Sequence, residues 1–169
     1  MMDLHVEKMG EGRPVVMMHS GGVDSREWKY VAPLLAKSYK VITFDARGVG
    51  RSPAPEKPLN LVDDLKMLFE HLDLSKATLV GHSIGGELAV NFALTYPALV
   101  ERLVLIAPSL TGFTHSEAFM KWMWSINALA PDVEEMTKQS LKGLNYRKVM
   151  AGPHRDFLIE MHTDYMRRV

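Results

Sequence analysis

A serine with glycines two positions to either side, Gly81-His82-Ser83-Ile84-Gly85, is the pattern in this chain whose chemistry is easiest to name. A run of strand-forming residues precedes it and an amphipathic stretch follows, so the serine sits where a strand turns sharply into a helix. On such a turn the positions two before and two after the serine must be nearly free of side chain, because a Cβ would strike neighbouring backbone. Gly81 and Gly85 meet that need, and Gly86 lets the helix pack closely. The turn strains the Ser83 backbone and presents its hydroxyl at a helix N-terminus. There the unpaired N–H of Ile84 can stabilise negative charge developing on a substrate oxygen. The chemistry expected is nucleophilic attack by Ser83 on a carbonyl, and the plainer alternative is a serine in an ordinary helix-start turn.

Two further strings belong with it. His19-Ser20-Gly21-Gly22 follows an apolar run and offers glycine backbone for a second N–H facing that of Ile84, with Gly21 the first choice and Gly22 the next. Asp45-Ala46-Arg47-Gly48-Val49-Gly50-Arg51-Ser52 closes another apolar run as a turn.

The elements that must position these residues are legible as an alternation. Val15-Val16-Met17-Met18, Val41-Ile42-Thr43-Phe44, Ala77-Thr78-Leu79-Val80 and Leu103-Val104-Leu105-Ile106-Ala107 read as strands buried on both faces. Between them lie helical patterns. One carries Trp28, Val31 and Leu35 behind an Asp24 or Ser25 cap; another carries Leu61, Leu65, Leu68 and Leu72 behind Asn60; a third runs from Leu88 to a stop at Pro97. The rhythm predicts an α/β fold with a parallel sheet covered on both faces. Residues 4–6 suggest a short extra strand. From Ser116 onward only helices are expected, with Phe119, Trp122, Met123 and Ile126 on one face, a helix opening at Pro131-Asp132, and another over 156–166. Their methionines and aromatics suit an adaptable lid, and the plainer reading is that they are core. The expected division is a partial sheet core over 1–110 and a helical cap over 111–169.

Taken together, the His-Ser-Gly-Gly loop, the Asp-Ala-Arg-Gly-Val-Gly-Arg-Ser turn and the Gly-His-Ser-Ile-Gly-Gly elbow resemble the α/β-hydrolase superfamily over roughly residues 12–108. Ser20 departs from the glycine usual there, a small change. The resemblance implies that Ser83 is the nucleophile and that Gly21 and Ile84 supply the oxyanion hole. Gly22, Gly81 and Gly85 support them. It further implies that His19 organises the oxyanion loop, that Asp45, Arg47 and Ser52 serve the turn's structure, and that His82, pointing elsewhere, is not the general base. No cofactor or metal is implied.

A serine needs a base oriented by a carboxylate, and in this fold the acid and the histidine follow the serine in the chain. Neither is evident after Ser83. No buried strand is visible beyond Ala107, and Pro108-Ser109-Leu110 carries no carboxylate. His154, Asp156, His162 and Asp164 are read as solvated surface of the helical segment. The expectation is therefore a hydrolase core with its last strands missing, truncated before the triad acid and histidine. The terminal strand becomes an exposed edge open to self-association. The leading function is hydrolysis of an ester, lactone, amide or activated C–C bond in a small apolar substrate. A non-catalytic ligand- or partner-binding protein is the alternative.

Twenty basic and twenty acidic residues among 169 leave no net charge, which favours neither nucleic acid nor an anionic membrane as partner. The absence of cysteine excludes disulfides and thiol catalysis. No signal-like or membrane-spanning stretch is seen, and a cytoplasmic protein with a small-molecule substrate is expected.

Overall fold

The computed structural model describes residues 2–55, 58–143 and 146–168. Met1 and Val169, the outer ends of the two expected domains, lie outside the described residues. The chain divides into two compact units, Met1–Thr111 and Gly112–Val169.

The first unit is built on a five-stranded sheet. Its strands are β1 (Val6–Met9), β2 (Pro14–Met18), β3 (Lys40–Phe44), β4 (Ala77–His82) and β5 (Val100–Ile106), in the order β1-β3-β2-β4-β5. β1 pairs antiparallel with β3, and the remaining pairs are parallel. The first strand therefore begins later than residues 4–6 suggested, and Leu4 is buried in the core ahead of it.

Each central strand is apolar throughout because each face meets its own core. Val16 and Met18 of β2 join Ile42, Leu79 and Phe92 on one side. Val15 and Met17 join Val41, Val80 and Trp28 on the other. Helix α2 (Leu61–His71) starts where Asn60 Oδ1 accepts the N–H groups of Val62 and Asp63, and it buries Leu65, Leu68 and Phe69. Helix α3 (Ile84–Thr95) leaves the elbow and buries Leu88, Ala89 and Phe92, whose ring lies 5.0 Å from that of Phe69. Burying an aromatic side chain of this kind is worth about 2–3 kcal/mol.

The helix expected after Asp24 is broken in two. Residues Ser25–Trp28 form a 3-10 turn, and α1 is only Ala32–Leu35. Pro33 lies in the first turn of α1. Having no N–H and a ring that clashes one turn back, proline forces a fresh start there. Trp28 is buried as expected, but Val31 is exposed.

The second unit holds α4 (Glu117–Asn127), α5 (Val133–Ser140), α6 (Arg147–Met150) and α7 (Arg155–Met166). Ser116 and Asp132 cap the first two through the N–H groups of Phe119 and Glu135. Ile126, Met136 and Met166 form its core, with Trp122, Val133 and Tyr165 packed against them, whereas Phe119, Met123 and Trp124 are exposed. Among the described residues no helix is long and apolar enough to cross a membrane.

Candidate active site

Every strong candidate from the sequence except those in the second unit lies at the carboxyl ends of β2 and β4. Ser83 has φ 52° and ψ −115°, a conformation that a side chain rarely adopts. Such strain costs about 1–3 kcal/mol and persists only when neighbours over-determine it. Here they do. The Ser83 N–H donates to the Ile106 carbonyl at 3.0 Å, and the Ser83 carbonyl accepts from Gly86 and Ser109, each at 2.9 Å.

The glycines of the elbow are spaces that backbone occupies. A Cβ on Gly81 would fall 2.3 Å from the Gly85 carbonyl oxygen, and one on Gly85 would fall 2.4 Å from the Met18 carbonyl oxygen. The turn is thus wedged against the end of β2, where His19 begins the facing loop. A Cβ on Gly21 would lie 3.9 Å from Ile84 Cγ2, so the loop and the elbow are neighbours. Among the described residues, neither the Gly21 N–H nor the Ile84 N–H is committed to an intramolecular acceptor. Gly22 takes φ 81°, where glycine alone is unstrained.

Both histidines near Ser83 are engaged. The Ala46 N–H donates to His19 Nε2 at 3.0 Å, which requires an unprotonated nitrogen there. Nδ1–H then donates to the Ser20 carbonyl at 2.8 Å. One ring joins two loops, and neither nitrogen is left to act as a base. His82 Nδ1 donates to Glu27 Oε1 at 2.5 Å. That hydrogen bond, opposed by desolvation and aided by the carboxylate's charge, raises the imidazole pKa above its ordinary value.

The turn after β3 is held by Asp45, which is almost fully buried. Burial pushes its carboxyl upward. The N–H groups of Arg51 and Ser25, donating to its two oxygens, outweigh that and hold it below the usual carboxylate range. Ser52 Oγ donates to the Asp45 carbonyl, and Arg47 reaches Asp64 on α2 at 3.0 Å.

Glu27 is the residue that reading the sequence missed. It lies 55 positions from His82, and no spacing rule links a carboxylate on a 3-10 turn to an elbow. His162 corrects an expectation in the second unit. Read as solvated surface, it is fully buried, with its ring edge-on to Tyr146 at 5.0 Å, while His154 and Asp156 are exposed. A groove of about 650 Å³, lined by residues including Thr137, Leu141 and Ile159, also belongs wholly to the second unit and includes none of the candidate site residues.

Among the described residues no side chain hydrogen-bonds to Ser83 Oγ, and no group of three or more histidines, cysteines or carboxylates is placed to hold a metal ion.

Comparison with known proteins agrees with this fold. The family model for the alpha/beta hydrolase fold matches residues 13–134. A 2-hydroxy-6-oxo-6-phenylhexa-2,4-dienoate hydrolase of Burkholderia cepacia is 34% identical over 117 residues, covering 64% of this chain and 41% of the relative. An sn-1-specific diacylglycerol lipase, ABHD11 of Danio rerio, is 33% identical over 150 residues, covering 83% of this chain and 46% of that protein. Among solved structures, one from work on carboxylesterases of the thaumarchaeon Nitrososphaera gargenis superposes with a TM-score of 0.81 at 27% identity, over 97% of this chain and 65% of the other. The chain spans less than half the length of these two curated relatives.

Proposed function

The chain belongs to the α/β hydrolase fold family, and from that premise we propose that it is built for serine hydrolase chemistry, with Ser83 as nucleophile and the N–H groups of Gly21 and Ile84 as oxyanion hole. The observation that carries this reading is the Ser83 backbone at φ 52°, held in strain beside two uncommitted N–H donors. Strain of this kind needs a use, because an ordinary helix start would relax it.

In this reading Ser83 Oγ attacks a substrate carbonyl carbon while its proton passes to solvent water, no described side chain standing at Ser83 Oγ to take it. The carbonyl oxygen becomes an oxyanion facing the Gly21 and Ile84 N–H groups. Collapse of the tetrahedral intermediate expels the leaving group and leaves an acyl-enzyme, which water cleaves. Preorganised donors of this type are worth about 3–4 kcal/mol each in the transition state. The proposed substrate is a small, largely apolar ester or lactone, or a compound with an activated C–C bond. Its similarity to a dienoate hydrolase, a diacylglycerol lipase and a carboxylesterase supports that range.

No described side chain serves Ser83 Oγ as a base, and losing that function lowers turnover by roughly six orders of magnitude. For this chain alone the expected signature is slow covalent capture, because the base that would speed turnover would also speed the attack by Ser83. An alkyl fluorophosphonate should add one phosphonyl group to Ser83, seen by intact mass and peptide mapping, and Ser83→Ala should abolish it. Folded protein that remains unlabelled would overturn the nucleophile assignment. It would favour the second reading, a hydrolase-fold protein that binds ligand without chemistry, which the unpartnered Ser83 hydroxyl supports.

A further inference from the structure

We propose that Glu27 is the positioning residue of this site, a clasp that sets the distance between the two backbone segments carrying the Gly21 and Ile84 N–H groups. The inference rests on the oxyanion-hole reading above and adds a residue outside the motifs that define it.

One carboxylate reaches both segments. Glu27 Oε2 accepts the Ser20 N–H at 2.9 Å, one residue before Gly21. Glu27 Oε1 accepts His82 Nδ1–H at 2.5 Å, one residue before Ser83 and two before Ile84. No ladder of the sheet joins these segments, since the pairing of β2 with β4 ends at Met18 and Gly81. Beyond that point the elbow packs against the His19 carbonyl at Gly85, and the carboxylate adds a hydrogen-bonded link between the two segments.

The clasp is itself mounted rigidly. Its 3-10 turn is capped by Asp24, a buried residue whose carboxylate accepts the Arg26 N–H at 3.0 Å and pairs with the Arg26 guanidinium at 2.7 Å. The neighbouring Ser25 N–H donates to the buried Asp45 at 2.9 Å. The loop bearing Gly21 is therefore fixed at its start by the His19 ring and immediately afterwards by Glu27. With side chains only 19% exposed for Glu27 and 34% for His82, the pair is partly shielded from water, where a charge-assisted bond keeps more of its strength. Neither side chain need touch substrate. A hole built from two loops has to hold its donors to about half an ångström, and supporting hydrogen bonds do that.

Three substitutions separate geometry from charge. Glu27→Ala removes both bonds. Glu27→Asp keeps the charge but is one methylene too short to reach both partners. Glu27→Gln keeps an acceptor for the Ser20 N–H and offers its amide N–H to the unprotonated Nδ1 of His82, so the span survives without the charge.

The measurement pairs fluorophosphonate labelling rates with amide NMR of Gly21 and Ile84 and the His82 Nδ1 proton resonance. Labelling is expected to fall at least about tenfold in Glu27→Ala and Glu27→Asp and to return within about threefold of the parent in Glu27→Gln. The Gly21 and Ile84 amide signals should move in the first two and return in the third, and the downfield His82 proton should vanish in Glu27→Ala. Parent-like labelling and amide shifts in Glu27→Ala would overturn the clasp. So would a Glu27→Gln protein as impaired as Glu27→Ala, which would assign the effect to charge. If the parent itself does not label, the nucleophile reading fails separately, and the amide shifts across the three variants still decide the clasp. If Glu27→Ala does not fold, Glu27→Asp against Glu27→Gln carries the same contrast.

Discussion

Strands β2 and β5 have nearly the same character in sequence and opposite fates in the fold. Val15, Val16, Met17 and Met18 are at most 5% exposed, whereas Leu103, Val104, Leu105 and Ile106 are 38–46% exposed. The difference is neighbours. β2 lies between β3 and β4 with a core on each face, while among the described strands β5 pairs with β4 alone. The elbow sits between these two environments. On one flank Gly85 abuts the Met18 and His19 carbonyls at the end of a buried strand. On the other, the strained Ser83 backbone is pinned by Ile106 and Ser109, at and just past the end of an exposed one. The candidate site thus has one rigid wall and one that draws its order from an edge.

The contrast can be tested in order of expected effect. Gly85→Ala drives a Cβ into backbone oxygens of the rigid flank that cannot step aside. A loss of about 3 kcal/mol in urea unfolding is expected, together with loss of Ser83 labelling. If Gly85→Ala were neutral, the elbow would not be wedged as described.

A matched pair comes next. Val16→Ala, at a site with no exposure, should cost about 2–3 kcal/mol as a transfer and cavity loss. Val104→Ala on β5 should cost less than about 1 kcal/mol, because much of that side chain already meets water. Equal costs in urea unfolding would mean that β5 is covered in solution, as self-association through the edge would cover it.

The smallest effect concerns pH. Hydrogen bonding to Glu27 raises the folded-state pKa of His82 above the unfolded value of about 6.5. The pair therefore stabilises the fold fully below that value, and the contribution is lost as pH rises through the raised pKa. The urea midpoint should decline slightly across that window, and Glu27→Gln should flatten the decline. A midpoint that rises over the same range would contradict the assigned pair.

Much of this could be read from residues in order. All four apolar runs are strands, and three of them are apolar at successive positions because they are buried on two faces, whereas the run at 103–106, read the same way, is exposed. The elbow could be placed because three glycines and a serine at fixed spacing satisfy a steric requirement local to one turn. The caps at Asn60, Ser116 and Asp132 were equally local, of which the sequence reading named the first and pointed to the third. Other features escaped because their causes are distant. His162 is polar by type, yet it is buried against Tyr146. The helix after Asp24 looked continuous by periodicity until Pro33 restarted it.

By itself the sequence determined the sheet's parallel rhythm, the strained serine turn and the residues free to form it, all matters of backbone sterics and hydrophobic period over a few consecutive positions. Only the tertiary structure decided that His19 bridges to Ala46 and that Glu27 ties the glycine loop to His82. These join residues from 27 to 55 positions apart. Such contacts depend on how strands are ordered in the sheet, and nothing in local spacing encodes that order.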